Sequence, residues 1–233
     1  MDFKNYIREC VSNNNHIAYL EHPTLGTKLV EKKIDLKSGV EEMNILKGLN
    51  AIYFPALLGF ELKQKEATLY LSRISGYNLM EIKNDKASLH KKLYQSILQN
   101  QNTIMNNAIK ALFCLHNKGF VHKDIKPSNI MVDEDLNVYL IDFGCACLMS
   151  DDVCISKLSG TLEFMSPEAL LEPERFDASS DLYSLGRALL WLFNESPKRI
   201  EDDTLWWLSE MTGLNQKHRK QIMKDLKLYI ANL

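Results

Sequence analysis

The sequence predicts an α+β fold, in which a small antiparallel sheet with one helix precedes a larger, mostly helical part. Two observations support this class. Apolar residues alternate along short segments in the first third of the 233-residue chain, as they do in half-buried strands. After Gly76 they recur at helical spacing instead. We therefore expect one domain over residues 1–233, made of a small lobe over 1–75 and a helical lobe over 76–233.

The small lobe is expected to contain four strands and one helix. A strand over Ile17–Leu20 ends at the turn-like stretch His22–Gly26. The next strand, Lys28–Leu36, alternates and so has two distinct faces. The remaining expected elements are a helix over Ser38–Leu49 and strands over Ala56–Glu61 and Ala67–Leu71.

The larger lobe is expected to be helical apart from one hairpin-like segment over Ile130–Ile141. A long helical stretch over Leu89–Lys118 is broken near Asn100–Asn102, and Gly119 is well placed to stop it. The other expected helices are Leu79–Lys83, Leu182–Phe193, Thr204–Met211 and Lys217–Ile230.

Composition excludes several classes of function. A net charge of −2 predicts no general field for nucleic acid or anionic membranes. No apolar run reaches transmembrane length, and the N-terminus has no apolar signal core. We expect a cytoplasmic protein, in its own cell or in a host cell if it is a delivered effector. The five cysteines form no CxxC pair, so we expect reduced thiols, with redox control through Cys145, Cys147 and Cys154 as the alternative.

One stretch carries chemistry at fixed spacings. It runs from His122 to Asn129 and includes Asp124 and Lys126, and Asp142-Phe143-Gly144 follows after the hairpin-like segment. This pattern, D-x-K-P-x-N followed by D-F-G, resembles the catalytic core of the eukaryotic-type serine/threonine protein kinases. The resemblance implies a bilobal protein-kinase-like fold with ATP and Mg²⁺ as cofactors.

The resemblance also implies a role for each residue of the motif. Phosphoryl transfer needs positioning, charge neutralisation and a proton acceptor. Asp124 would orient the substrate hydroxyl and accept its proton, and Lys126 would face the transferred group. Asn129 and Asp142 would hold magnesium, because hard oxygen ligands suit that ion.

Further matches lie in the small lobe. Leu29–Ile34 looks like the strand that carries the phosphate-contacting lysine, and Lys32 fits better than Lys33 because it shares a face with Val30. Glu42 would pair with Lys32, with Glu41 as the neighbouring alternative. For adenine, the resemblance implies an apolar slot beside backbone hydrogen bonds. Its residues would be Val30, Leu71, Met131 and the segment Ser72 to Ile74.

In the larger lobe, Gly160–Glu168 resembles the end of the family's activation segment, in which Thr161 would support Asp124 and Lys126. By the same resemblance Glu168 would pair with Arg219, and Asp181 would brace the catalytic loop. Arg219 also lies in the basic run Lys217–Lys220. We expect that run to be a solvated helix face, with a binding patch as the alternative.

Three features depart from the family. Cys10, Ser12 and Asn15 stand where the phosphate loop has glycines, although asparagines tolerate positive φ well enough for a partial cradle. Lys123 stands where arginine usually grips a phosphorylated activation loop, and lysine is only a point charge. The segment after Glu168 is short, so the helical lobe over 76–233 is trimmed, and a partner is a candidate source of docking surface.

The motif matches described before these departures favour a serine/threonine protein kinase that acts on protein substrates. An activating or docking protein is a second candidate partner. Two alternatives remain open. The missing glycines would suit a pseudokinase that works as a binding module. Gly76–Leu79 is mildly similar to small-molecule kinases of related fold, although the activation segment ending in Ser166-Pro167-Glu168 argues against them.

Overall fold

The computed structural model describes residues 3–10, 16–84, 88–194 and 200–231. The chain divides into two compact units, Met1–Ser75 and Gly76–Leu233. The first unit is built on a sheet and the second is mostly helical, so the predicted α+β class is confirmed.

The first unit is a five-stranded antiparallel sheet with one α-helix among its described residues. Its strands follow the order β1-β2-β3-β5-β4. Every strand predicted here is present, whereas β1 was not predicted. The elements are β1 (Ile7–Cys10), β2 (Ile17–Glu21), β3 (Lys28–Asp35), α1 (Leu36–Gly48), β4 (Leu57–Leu62) and β5 (Glu66–Ser72).

Helix α1 begins two residues earlier than its apolar spacing suggested. The Asp35 carboxylate accepts a hydrogen bond of 3.0 Å from the Ser38 amide and so caps the helix. Glu42, Met43 and Leu46 point to the buried side of the helix. The charged Glu42 therefore lies among apolar neighbours, which requires a partner.

The second unit consists of helices around two small sheets, one of three strands and one of two. Strand β6 pairs with β8, β8 pairs with β9, and β7 pairs with β10, all antiparallel. The short elements β6, β7, β10, α5 and α6 were not predicted. The elements are β6 (Gly76–Asn78), α2 (Leu79–Asn84), α3 (Ser88–Gln99), α4 (Gln101–Asn117), β7 (Phe120–Val121), β8 (Ile130–Asp133), β9 (Val138–Leu140), β10 (Cys147–Leu148), α5 (Asp152–Ile155), α6 (Pro167–Leu171), α7 (Ala178–Phe193), α8 (Asp202–Met211) and α9 (Gln216–Ala231).

Helix α7 begins four residues earlier than predicted because its N-terminus is strongly capped. Asp177 and Ser180 form a capping box, in which each side chain bonds to the other's backbone amide. The early start places Asp181 in the first turn of the helix, where it is fully buried. In the part of the chain that the structure describes, no helix combines the length and apolar character needed to cross a bilayer.

Candidate active site

The catalytic loop, residues 122–129, is bent by a buried carboxylate. Asp181 of α7 accepts the backbone N–H of His122 at 2.8 Å and that of Lys123 at 2.9 Å. Its carboxylate also lies 3.0 Å from His116 Nε2. Lys123 has a left-handed φ of 65°, which these bonds hold in place. The predicted bracing by Asp181 is thus present, whereas no pattern in the sequence indicated that His116 also lies against this carboxylate.

Asp124 lies at the centre of a hydrogen-bond network. Its Oδ1 accepts from the Thr161 hydroxyl at 2.8 Å, and its Oδ2 lies 2.8 Å from Lys126 Nζ. Lys126 Nζ also donates to Thr161 Oγ1 at 3.0 Å. The Asn129 amide nitrogen donates to the Asp124 carbonyl at 2.9 Å and to Oδ2 at 3.1 Å. The structure therefore brings together all four predicted catalytic residues.

The contact between the activation segment and the catalytic loop depends on Gly160. Its φ is 108°, and a Cβ there would lie 2.3 Å from the carbonyl oxygen of Lys123. No other residue fits without displacing backbone. This close approach places the next residue, Thr161, at Asp124.

Lys123 holds the activation segment through three backbone carbonyls. Its Nζ lies 2.6 Å from Cys154 O, 3.1 Å from Ile155 O and 2.8 Å from Lys157 O. An ammonium group has three donors, and here all three have acceptors. The sequence indicated only that Lys123 replaces an arginine, because its partners lie more than thirty residues further along the chain.

Asp142 adopts a left-handed φ of 64° two residues after the end of β9. The backbone before it is tied to the catalytic loop, since the Ile141 amide donates to Asn129 O at 3.0 Å and His122 Nε2 lies 3.2 Å from Ile141 O. The buried Phe143 ring packs 5.1 Å from the His122 ring. Asn129 and the segment leading to Asp142 are therefore neighbours.

The donor set of Asn129 and Asp142 fits a magnesium ion. The Asn129 amide nitrogen is bound to Asp124, which leaves the amide oxygen available to a metal ion. Among the described residues, no group of three or more histidine, cysteine, aspartate or glutamate side chains could hold a metal by itself. A site with so few protein ligands suits Mg²⁺, which keeps waters and binds substrate phosphates together with one or two carboxylates.

Cys145 and Cys147 are poor candidates for redox control. Burial raises the pKa of the Cys145 thiol, and the negative charges of Asp124 and Asp142 raise it further. Burial and the neighbouring Cys154 likewise raise the pKa of Cys147. The thiolate is the reactive form, so these raised pKa values slow oxidation at neutral pH.

In the first unit, Lys32 and Glu42 form a buried ion pair. Lys32 Nζ lies 2.7 and 2.8 Å from the two carboxylate oxygens, and the side chains are 14% and 1% exposed. Lys33 instead lies 3.7 Å from Glu31, and Glu41 is exposed. The geometry favours Lys32 and Glu42 over both alternatives. Their role toward nucleotide stays a prediction.

The residues predicted for adenine binding occupy both units. In the first unit, Val30 of β3 lies opposite Leu71 of β5. The Ser72 amide donates to Ala56 O at 2.8 Å and the Arg73 amide to Lys28 O at 3.3 Å, so Ile74 provides the remaining candidate donor of this segment. In the second unit, half-buried Met131 of β8 lies opposite Asn78 of β6.

The basic run Lys217–Lys220 is only partly a solvated face, and the expectation was wrong for Arg219. That residue is fully buried and its guanidinium binds the Glu168 carboxylate, as its other predicted role requires. Arg219 also donates to Ser179 O at 3.1 Å and Gly213 O at 2.6 Å. Burial raises the pKa of Glu168, but hydrogen bonds from Arg219 and Ser180 outweigh it and leave the pKa below its ordinary value.

The segment that stands in place of the glycine-rich loop is only partly described. Cys10 ends β1, whereas Ser12 and the asparagines at 13–15 lie outside the described residues. A partial phosphate cradle at this tip stays a prediction.

Comparison with known proteins agrees with this geometry. The family model of the protein kinase domain matches residues 19–228. The chain is 32% identical to the serine/threonine-protein kinase unc-51 of Caenorhabditis elegans over 71% of this chain and 20% of that protein. It is 29% identical to a mouse PAS domain-containing serine/threonine-protein kinase over 81% of this chain and 12% of that protein. It is 41% identical to the rat 3-phosphoinositide-dependent protein kinase 1 over 34% of this chain and 14% of that protein. The chain thus spans a fifth or less of the length of these relatives.

Proposed function

We propose that this chain, which belongs to the protein kinase family, is an active enzyme that transfers the γ-phosphoryl group of ATP to serine and threonine hydroxyls of protein substrates. The observation that carries the proposal is the network in which Asp124 is held by Thr161, Lys126 and Asn129. Such a network fixes a carboxylate where a substrate hydroxyl could be bound and deprotonated. We further propose that it acts in the cytosol.

Asp124 is the proposed general base. Three side chains hold its carboxylate, so little reorganisation is needed when a hydroxyl approaches. The substrate proton would pass to Asp124 as the hydroxyl oxygen bonds to the γ-phosphorus, while the bond from that phosphorus to the β–γ bridging oxygen breaks and ADP leaves. Lys126, whose side chain is 27% exposed, would place its ammonium beside the negative charge on the transferred group.

Asn129 and Asp142 are the proposed magnesium ligands. The ion supplies charge neutralisation for the nucleotide phosphates when it is bound. Lys32, oriented by Glu42, would contact the phosphates from the first unit. Val30, Leu71 and Met131 would provide apolar contacts for adenine, and Ser72 to Ile74 would offer backbone groups, chiefly at Ile74.

Two features support hydroxyl side chains of serine and threonine as acceptors. Thr161 and Lys126 both bind Asp124, a pairing implied by resemblance to serine/threonine kinases. The first relatives in the comparison are also named as serine/threonine kinases. The missing glycines favour the pseudokinase alternative, but Lys32, Glu42, Asp124, Asn129 and Asp142 are all retained.

The proposal is tested with purified protein, magnesium, ATP labelled on the γ-phosphate and a generic protein substrate. We expect label in the protein, and loss of that label in Asp142→Ala. Nucleotide binding without transfer would identify a pseudokinase. Transfer to small metabolites but never to protein would identify a small-molecule kinase.

The lysine assignment needs its own variants, because Lys32→Ala would leave Glu42 buried without its partner. Lys32→Arg keeps the positive charge and serves as the fold control. Transfer that survives in both variants would refute the assignment of Lys32.

A further inference from the structure

We propose that a lysine-rimmed cleft in the second unit binds an acidic protein segment that carries an apolar anchor residue. We call it the lysine cleft. It has a volume of about 320 Å³, and its floor contains Ile155, Phe176 and Met223, with Met149 at its edge. Its rim carries Lys220, Lys224 and Lys227 of α9. The proposal concerns a surface separate from the residues assigned to phosphoryl transfer.

The floor of the lysine cleft suits an apolar side chain. Ile155, Phe176 and Met223 are each less than a tenth exposed, while Met149 is 37% exposed. The volume corresponds to about ten water molecules, enough for a large side chain and adjoining backbone. Methionines at the floor and the edge can adapt to the shape of the inserted group.

The rim of the cleft is positively charged along a line. Lys220, Lys224 and Lys227 stand at positions i, i+4 and i+7 and therefore share one face of α9. They span about 10 Å along the helix axis. Asp177 is the one acidic residue that lines the described cleft, and it pairs with Lys220 at 2.6 Å.

Two of these lysines remain able to bind an external anion. Lys224 is exposed and forms no ion pair with any residue of the described ranges. Lys227 lies 5.5 Å from the Phe113 ring centroid and has no ion pair within the described part of the chain. The pair of Lys220 with Asp177 is more than 30% exposed on both sides, so a competing carboxylate can replace it at little cost.

The length of the charged rim favours a protein segment as the occupant. A single lipid head group or metabolite would meet one or two of the three lysines. A segment with several carboxylates can meet all three while one apolar side chain enters the floor. A binding patch was the alternative interpretation of the basic run Lys217–Lys220. The proposed cleft includes only Lys220 of that run.

The cleft adjoins the activation segment. Met149 and Ile155 both lie between Asp142-Phe143-Gly144 and Thr161, and the Ile155 carbonyl accepts from Lys123 Nζ at 3.1 Å. An occupant would thus contact the same segment that Lys123 holds. A docking partner at this place would contact neither Asp124 nor Asp142.

Fluorescence anisotropy tests the proposal without reference to catalysis. The probe is a fluorescein-labelled, glutamate-rich peptide with two central leucines, titrated with the full chain. We expect saturable binding that weakens as salt is added. The double variant Lys224→Glu/Lys227→Glu should bind about tenfold more weakly or worse. Lys217→Glu, on the same helix but outside the cleft, should bind like the unchanged protein.

A second peptide separates the floor from the rim. Replacing its two leucines with serines should also weaken binding about tenfold, because the apolar floor is then unfilled. Thermal melting of each variant confirms that α9 remains folded. No binding, equal binding by the double variant, or indifference to the leucines would overturn the proposal. Binding to anionic phospholipid vesicles in place of the peptide would overturn it too, and would assign the cleft to a membrane surface.

Discussion

Asp124 owes its position to side chains that are far from it in sequence. Thr161 lies 37 residues further on, yet its hydroxyl donates to Asp124 Oδ1 at 2.8 Å. The same hydroxyl accepts from Lys126 at 3.0 Å. Thr161 is therefore a positioning residue that orients both the proposed base and the proposed phosphate-facing lysine.

Thr161→Ala should lower kcat by about 10- to 100-fold, because Asp124 and Lys126 lose a shared partner. KM for ATP should change little, since Thr161 has no proposed contact with nucleotide. Steady-state kinetics with a protein substrate measures both quantities. Thr161→Ser keeps the hydroxyl and should restore most of kcat. A serine variant as slow as the alanine variant would show that the methyl group, and not the hydrogen bonds, matters.

The activation segment is held as an element by Lys123 and Gly160. Lys123 binds carbonyls of residues that end α5 or follow it, and Gly160 allows the chain to touch the catalytic loop. These contacts need no phosphate group. The segment is therefore ordered by the chain itself at the position where an arginine would bind a phosphorylated loop.

Phosphatase-treated protein should accordingly retain its activity within about twofold, because Lys123 already has three acceptors. The double variant Ser156→Ala/Ser159→Ala should behave in the same way. Lys123→Met should lose activity about tenfold or more and expose the segment to limited proteolysis, since three hydrogen bonds to backbone carbonyls are lost. Restoration of a phosphatase-treated, inactive protein by an upstream kinase would contradict this account.

Gly160→Ala should destabilise the second unit more than a matched glycine variant does. Both Gly160 and Gly119 have left-handed φ, but only Gly160 has backbone within reach of a new Cβ. We expect Gly119→Ala to lower the free energy of unfolding by about 1 kcal/mol, because of its φ alone. Gly160→Ala adds the clash with Lys123 O and should cost about 2–4 kcal/mol. Urea unfolding measures both losses in the free energy of unfolding. Equal losses would show that the backbone moves aside for the new Cβ at Gly160 without a measurable penalty.

The elements that sequence predicted best are those with long apolar periods. Helices α4, α7 and α9 and strands β2, β3 and β5 bury residues at regular spacing, so their existence could be predicted from the sequence. Strand β4 was predicted as well, although none of its residues is buried. Helices α1 and α7 begin earlier than predicted, because the polar side chains of Asp35 and Asp177 cap their N-termini. Strands β7 and β10 have two residues each, which is too short to show any period.

The site was predictable where its residues are contiguous. Asp124, Lys126 and Asn129 fall within six positions, and the D-F-G motif follows at a fixed distance. The partners of Lys123 could not be read in this way, because they are backbone carbonyls and any residue can supply them. Arg219 was predicted as a partner of Glu168 but also as part of a solvated run. Only its burial in the fold decides between these two predictions.

At the scale of the whole second unit, the Glu168–Arg219 pair joins distant parts of the chain. Arg219 of α9 binds Glu168 of α6 and the carbonyls of Ser179 and Gly213. Both charged groups are buried. Removing either one would leave the other without compensation in the interior.

Acid should weaken this link. The folded pKa of Glu168 lies below its ordinary value of 4.5, since the bonds from Arg219 and Ser180 outweigh burial. A lowered folded pKa means that the stabilisation is complete above about pH 4.5 and is lost as the pH falls through the folded value. Glu168→Gln should lower the free energy of unfolding at neutral pH by about 3–5 kcal/mol.

Urea unfolding at several pH values measures the effect. The difference in free energy of unfolding between the unchanged protein and Glu168→Gln should shrink as the pH falls below 4.5. Glu174→Gln, an exposed change shortly after α6, is the matched control and should show no such difference. If the difference in free energy of unfolding stayed constant with pH, Glu168 would not stabilise the fold through its charge.

The central claim is that the network at Asp124 transfers phosphate to serine and threonine. The most direct measurement is mass-spectrometric mapping of phosphorylated residues in a protein substrate after incubation with Mg-ATP, comparing the unchanged protein with Asp124→Asn. We predict phosphoserine and phosphothreonine with the unchanged protein, and none above background with a variant that melts at the same temperature. Equal phosphorylation by Asp124→Asn, or no phosphorylated residue with the unchanged protein, would contradict the account.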